Sequence, residues 1–133
     1  MEISAKVVNA PGAHEASVRT ASAAQPLAVP PKREGRGSAV NGGEFLMLAL
    51  ATCYCNDLFR EATRLGLALD RVEVEATADF PAAGLAATNV RYRAKVSSSA
   101  PAAAIEALLR ETDAVAEVHN TLRAGVPVRL ERG

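Results

Sequence analysis

Ile3, Ala5 and Val7 alternate with Glu2, Ser4 and Lys6, the period-two pattern of a half-buried strand. Asn9-Ala10-Pro11-Gly12 has turn chemistry, with Pro fixing φ and Gly supplying unusual dihedrals. Ala16, Val18 and Thr20 then predict a second strand. A third short extended segment, around Leu27 to Val29, ends at Pro30 and Pro31, which cannot donate to a ladder. After a polar, glycine-rich stretch from Lys32 to Gly43 the pattern changes abruptly. Glu44 opens an apolar run, Phe45 to Ala51, that continues through Cys53, Tyr54, Cys55, Leu58 and Phe59 to Leu65. Its apolar residues cover every side of a helical wheel, which predicts a helix buried in the middle of its domain and stopped at Gly66.

Two further alternating segments follow. Val72, Val74 and Ala76 alternate with Glu73, Glu75 and Thr77; Val90, Tyr92, Ala94 and Val96 alternate with Arg91, Arg93, Lys95 and Ser97. An antiparallel pair is expected, joined by a long connection through Phe80 to Gly84. Pro101 suits the start of a helix, and Ile105, Leu108, Leu109, Thr112, Val115, His119 and Leu122 fall on one side of it. A break near Thr112-Asp113 would divide this helix, and Gly125 can close it. Val126, Val128 and Leu130 predict a last short strand. The order β-β-(β)-α-β-β-α-β describes one α+β domain spanning residues 1–133.

Composition narrows the possibilities. A chain of 133 residues buries roughly two-thirds of its unfolded surface and needs no disulfide or metal to fold. Hydrophobic residues at 49% against 23% charged exclude a disordered chain. Fifteen basic residues cancel fifteen acidic ones, so no field collects nucleic acid or an anionic membrane. Aromatics at 4%, without Trp, leave little for base stacking. The run from Phe45 to Cys55 falls short of the roughly 20 residues that span a bilayer. Met1 to Lys6 carries no signal-peptide pattern, and two cysteines two positions apart form no secreted disulfide framework. A cytoplasmic protein is expected.

Cys53, with Cys55 nearby, is the leading chemical candidate. Taken without further context, both read first as small core residues, because free Cys is among the most buried residue types. Two positions apart on a helix they diverge by about 200°, which disfavours a disulfide between them. A thiolate at neutral pH needs a cation or helix N-terminus, and Arg33 and Arg36 in the preceding loop are available. His119, on the apolar side of the last helix, reads as a hydrogen-bonded core residue or as a base paired with Cys53. His14 reads as a surface residue. Cys-x-Cys lacks the spacing that turns two thiolates to one metal, so no metal is expected. Gly35-Arg36-Gly37-Ser38 lacks the ending of a phosphate loop. Glu73 and Glu75 facing Arg91 and Arg93 read as sheet register rather than catalysis.

The segment Asn41-Gly42-Gly43-Glu44-Phe45-Leu46-Met47-Leu48-Ala49-Leu50-Ala51-Thr52-Cys53 resembles the helix-opening signature of the OsmC and Ohr family, where an Asn precedes the peroxidatic cysteine by twelve residues. The element order, the length and the stretch from Val72 to Leu122 also suit that family. The resemblance implies an intertwined homodimer, with two long central helices wrapped by antiparallel sheets and sites at the subunit interface. It further implies reduction of organic hydroperoxides, with Cys53 in the peroxidatic position, Arg33 favouring its thiolate and Glu44 partnering Arg33. Two departures stand out. The family's Glu falls on Gly43, one position before Glu44. The second family cysteine falls on Ala116, in Ala116-Glu117-Val118-His119-Asn120-Thr121-Leu122, so the family disulfide cannot form.

Two readings follow from the resemblance. One is a single-cysteine peroxidase, without cofactor, recycled by an external thiol and taking an organic hydroperoxide in an apolar pocket. The other is a non-catalytic dimer that binds an apolar small molecule at the subunit interface.

Overall fold

The computed structural model describes residues Met1–Gly133, which form two compact units, Met1–Phe45 and Leu46–Gly133. In the first unit β1 (Ile3–Ala10), β2 (Ala13–Thr20) and β3 (Ala23–Leu27) form an antiparallel sheet in chain order. Ala10 pairs with Ala13 across a two-residue loop, Pro11-Gly12, whose glycine adopts φ +71° as the tight reversal requires. Pro26 is accommodated because β3 is an edge strand, where a missing donor breaks no inner ladder. The third strand thus lies earlier than the Leu27 to Val29 segment read from the sequence.

Helix α1 runs from Gly42 to Arg64. Its start is held reciprocally: Glu44 N–H donates to Asn41 Oδ1 (2.8 Å), and Asn41 N–H donates to Glu44 Oε1 (3.1 Å). This capping box satisfies two donors the helix would otherwise leave free, and such an N-cap contributes about 1 kcal/mol. At the other end Gly66 takes φ +70°, the left-handed conformation that stops the helix at the expected place.

The second unit pairs β4 (Arg71–Asp79) with β5 (Thr88–Ser97) and follows them with α2 (Ala102–Val115) and α3 (Glu117–Ala124). Val72 faces Val96, Val74 faces Ala94 and Ala76 faces Tyr92, so one sheet face is apolar. On the other face Glu75 forms an ion pair with Arg93 and Glu73 stands opposite Lys95, whereas Arg91 falls opposite Thr77, so of the charges read as facing one another from the sequence only Glu75 and Arg93 pair. The core joins Tyr54, Leu58 and Ala62 of α1 to Leu108 of α2 and to Ala116. Val72, Val74, Tyr92, Ala94 and Val96 pack against it from the sheet. Tyr54 Oη donates to the Leu109 carbonyl at 2.7 Å, tying α1 to α2.

Three expectations change. The predicted helix is broken at Ala116, whose extended ψ of 106° separates α2 from α3, rather than near Thr112. No strand forms after Gly125: Val128 and Leu130 are fully exposed, and Pro127 removes a ladder donor from the segment. Burial of α1 is one-sided, on Leu50, Tyr54, Asp57, Leu58, Glu61 and Ala62, while Leu48 and Phe59 are about half exposed. The core of the second unit contacts one stripe of the helix. Phe45, Leu46, Met47 and Ala51 are partly buried, and Leu48 and Phe59 are the large apolar side chains of α1 left exposed.

Candidate functional site

Cys53 lies in the middle of α1, half-buried and with a free thiol. Asp57 is four residues further on, hence on the same helix face one turn away. The thiol donates to Asp57 Oδ2 at 3.6 Å. A second carboxylate arrives from α3, because the kink at Ala116 turns the chain and projects Glu117 from the first turn of that helix. Its Oε2 accepts from Cys53 Sγ at 3.8 Å. Arg60 Nη1 bridges the same two carboxylates through their other oxygens, at 3.0 Å from Asp57 Oδ1 and 3.3 Å from Glu117 Oε1.

The electrostatics follow from this arrangement. Burial is the main cause that pushes the Cys53 thiol above its ordinary value, and a hydrogen bond from the Val118 backbone opposes it. Asp57 and Glu117 push the thiol further up. Burial also raises Asp57, with Glu117 adding repulsion and Arg60 working against both. Glu117 is held low, chiefly by its own backbone N–H at the start of α3. Within the second unit the sulfur therefore meets carboxylates rather than the cation expected from the sequence. The arrangement is a protonated thiol hydrogen-bonded to a carboxylate whose pKa burial raises.

The other sequence candidates are placed as follows. Glu44 directs its carboxylate to the Asn41 amide in the capping box instead of pairing with Arg33. Arg33 lies in the exposed segment between β3 and α1, in the first unit, whereas Cys53 belongs to the second. Arg36 is anchored on the end of β1, donating to Asn9 Oδ1 at 2.8 Å and to the Asn9 carbonyl at 3.1 Å. His14 is half-buried on β2, with Nδ1 beside the Asn9 amide. Cys55 is half-buried with a free thiol. Ala116 is completely buried, so a methyl group closes the core where the resemblance places a second thiol.

Asp57, Glu117 and Arg60 were missed by the sequence reading. The four-residue spacing of Cys53 and Asp57 was visible in the sequence; Glu117, 64 residues away, joins them only through the kink at Ala116. The sulfur and carboxylate oxygens lie within 4.8 Å of one another, close enough to share a cation, but Arg60 already balances the two acids.

His119 departs from the expectation of a hydrogen-bonded core residue. It is 3% exposed, and neither ring nitrogen has a partner. Its neighbours are aromatic: Tyr92 edge-on at 4.4 Å between ring centres and Tyr54 at 5.8 Å. Burial, then the Arg123 charge, lowers its pKa, and Asp113 partly opposes them. Since the folded state resists the proton that the unfolded chain accepts, His119 costs stability as pH falls through its ordinary value of 6.5. Urea titrations of the wild type from pH 7.5 to 5.5 should show a falling midpoint, and His119→Phe should flatten that slope. Identical slopes in both proteins would contradict the assignment.

The sequence pattern of OsmC-like proteins matches residues 35–131. No curated protein sequence matches the chain. Among solved structures the chain resembles an OsmC-like protein from Mycoplasma pneumoniae at TM-score 0.62 and 16% identity, over 92% of this chain and 86% of that one. It also resembles an organic hydroperoxide resistance protein OsmC from Legionella pneumophila, at TM-score 0.61 and 17% identity, over 97% and 94% of the two chains. An OsmC-like hydroperoxide resistance protein from Jannaschia sp. is similar at TM-score 0.59 and 18% identity, over 98% and 92%. At these identities the structural likeness carries the α+β fold.

Proposed function

The chain belongs to the OsmC-like family, and from that premise we propose that it is a thiol-dependent reductase of organic hydroperoxides with Cys53 as its one reacting thiol. The observation that carries this reading is the Cys53–Asp57 hydrogen bond, at the position where the family signature places the peroxidatic cysteine. Asp57 takes the thiol proton as the sulfur attacks the terminal oxygen of the hydroperoxide. The O–O bond breaks, the S–O bond forms, and Asp57 returns the proton to the departing alkoxide. The sum is RSH + R′OOH → RSOH + R′OH, in which sulfur is oxidised by two electrons and the peroxide is reduced. Ala116 brings no resolving thiol, so an external thiol condenses with the sulfenic acid and releases water. A second external thiol then frees Cys53 and leaves as the mixed partner's disulfide.

In this reading the protein is a single OsmC-like domain, a homodimer and cytoplasmic, where small thiols are available. Pairing is supported by the uncovered apolar residues of α1, Leu48 and Phe59, which a second copy would bury. No helix is long and apolar enough to cross a membrane. The family pattern gives Arg33 the part of a positive charge that favours the thiolate; in this reading Asp57 takes the thiol proton instead.

Consumption of cumene hydroperoxide in dithiothreitol tests the reading. Wild type and Cys55→Ser should turn over at the same rate, and Cys53→Ser should fall to the rate of dithiothreitol alone. Background rates in all three would overturn it.

A further inference from the structure

Cys53 is flanked by charge of one sign. Its sulfur lies 3.6 Å from Asp57 Oδ2 and 3.8 Å from Glu117 Oε2. The two carboxylates differ in their access to water: the Asp57 side chain is 7% exposed and that of Glu117 is 67% exposed. Asp57 therefore closes the inner side of the sulfur, and Glu117 stands on the side open to solvent. Within the second unit, a molecule that comes to the half-buried thiol from solvent meets a negative charge first.

The nearby cations do not cancel that charge. Arg60 Nη1 is divided between Asp57 Oδ1 at 3.0 Å and Glu117 Oε1 at 3.3 Å, and its Nε lies 3.4 Å from Glu61 Oε1. Arg64 is held in turn by Glu61 at 2.6 Å and Glu111 at 2.9 Å. Two guanidinium groups thus stand among four carboxylates, which leaves the cluster with two negative charges in excess. The backbone N–H at the start of α3 keeps Glu117 ionised. Fixed charges of one sign beside a reacting atom repel reactants of that sign and leave uncharged ones unhindered.

We propose that Glu117 sets the charge selectivity of Cys53, which admits uncharged organic hydroperoxides and disfavours those that carry a carboxylate. The repulsion acts on the approach, before any bond changes. The hydroperoxide part of this inference rests on the peroxidase reading. The selectivity itself belongs to the surroundings of the sulfur, and any pair of reagents that differ only in charge can measure it.

Two alkylating agents test it in the full chain carrying Cys55→Ser. The Cys53 thiolate displaces iodide from iodoacetamide, which is neutral, and from iodoacetate, which is anionic. Both reagents meet the same thiolate fraction, so the ratio of their rates does not depend on the thiol's proton affinity. The reference is the same ratio for N-acetylcysteinamide, an uncharged small thiol. Against it, iodoacetate should be disfavoured at Cys53 about fivefold at low salt, the effect of one like charge about 4 Å away in water. Glu117→Gln should restore most of that loss. Sodium chloride at about 0.5 M should also bring the wild-type ratio toward the reference, since Glu117 is exposed to screening. In dithiothreitol, cumene hydroperoxide should be consumed faster than its para-carboxylate, by a margin that Glu117→Gln reduces.

The proposal is overturned if Cys53 shows the reference ratio or favours iodoacetate, because a cation would then govern the approach. An unchanged ratio in Glu117→Gln, or one indifferent to salt, would also overturn it, by assigning the discrimination to shape. Equal consumption of the two peroxides would overturn the assignment of substrate class. If the alkylating agents are discriminated as expected and neither peroxide is consumed, the peroxidase reading falls and the charge selectivity of the sulfur stands.

Discussion

Asp57→Asn should move two reactions of Cys53 in opposite directions. The carboxylate raises the thiol's pKa, so its removal increases the thiolate fraction at pH 7 and should speed alkylation by iodoacetamide severalfold. Iodide leaves without a proton, so alkylation gains nothing from a nearby acid. Peroxide reduction differs, because the departing alkoxide needs the proton that Asp57 carries. Loss of a positioned acid–base group typically costs 10²–10⁴-fold, and a fall in peroxide turnover of about 10²-fold is expected here. Asn keeps the shape and can still accept a hydrogen bond from Arg60, so folding should survive. If the two rates rose together, Asp57 would be acting only as a local negative charge. The wild-type alkylation rate should also climb with pH beyond the thiol's ordinary value of 9.0, as burial and two carboxylates require.

Leu58→Ala should be the most damaging single change to the fold. Leu58 is 0% exposed and belongs to the cluster that joins α1 to Leu108 and Ala116. Truncation forfeits the transfer free energy of the lost carbons and leaves a cavity that close-packed neighbours cannot fill, about 2–5 kcal/mol. Chemical denaturation should show a lower midpoint at an unchanged m-value. A loss below about 1 kcal/mol would mean that this part of the helix is not packed as described. The same cluster holds the buried face on which Asp57 sits, so a looser core would also blur the geometry at Cys53.

The elements with a clear period were legible from residues alone. The alternation of Val72 to Ala76 and of Val90 to Val96 located β4 and β5, whereas their register, which sets Glu73 against Lys95 and Arg91 against Thr77, was not legible from the charges. Gly66 and Gly125 marked helix ends because both adopt positive φ. The OsmC-like family was legible too, from the Asn41 to Cys53 spacing. Asn41 has a physical part in that signature, as the N-cap that begins α1 and so sets the turn on which Cys53 falls.

What stayed hidden depends on long-range contacts. Hydropathy could not separate an α1 buried on every side from one with a single buried stripe, because both are apolar all round. The kink at Ala116 has no proline or glycine to announce it, and it alone brings Glu117 to the sulfur. Val126 to Leu130 alternates like a strand, yet alternation without a partner edge leaves it extended and exposed. The unpaired state of His119 is likewise a property of its surroundings, Tyr54 and Tyr92, which offer ring faces and edges instead of acceptors.

The most direct measurement is mass spectrometry after one equivalent of cumene hydroperoxide in the presence of dimedone, which captures sulfenic acids. The account predicts a single adduct on Cys53, none on Cys55, and its disappearance when dithiothreitol precedes the trap. An unmodified Cys53 after complete mixing, or label on Cys55 instead, would contradict it.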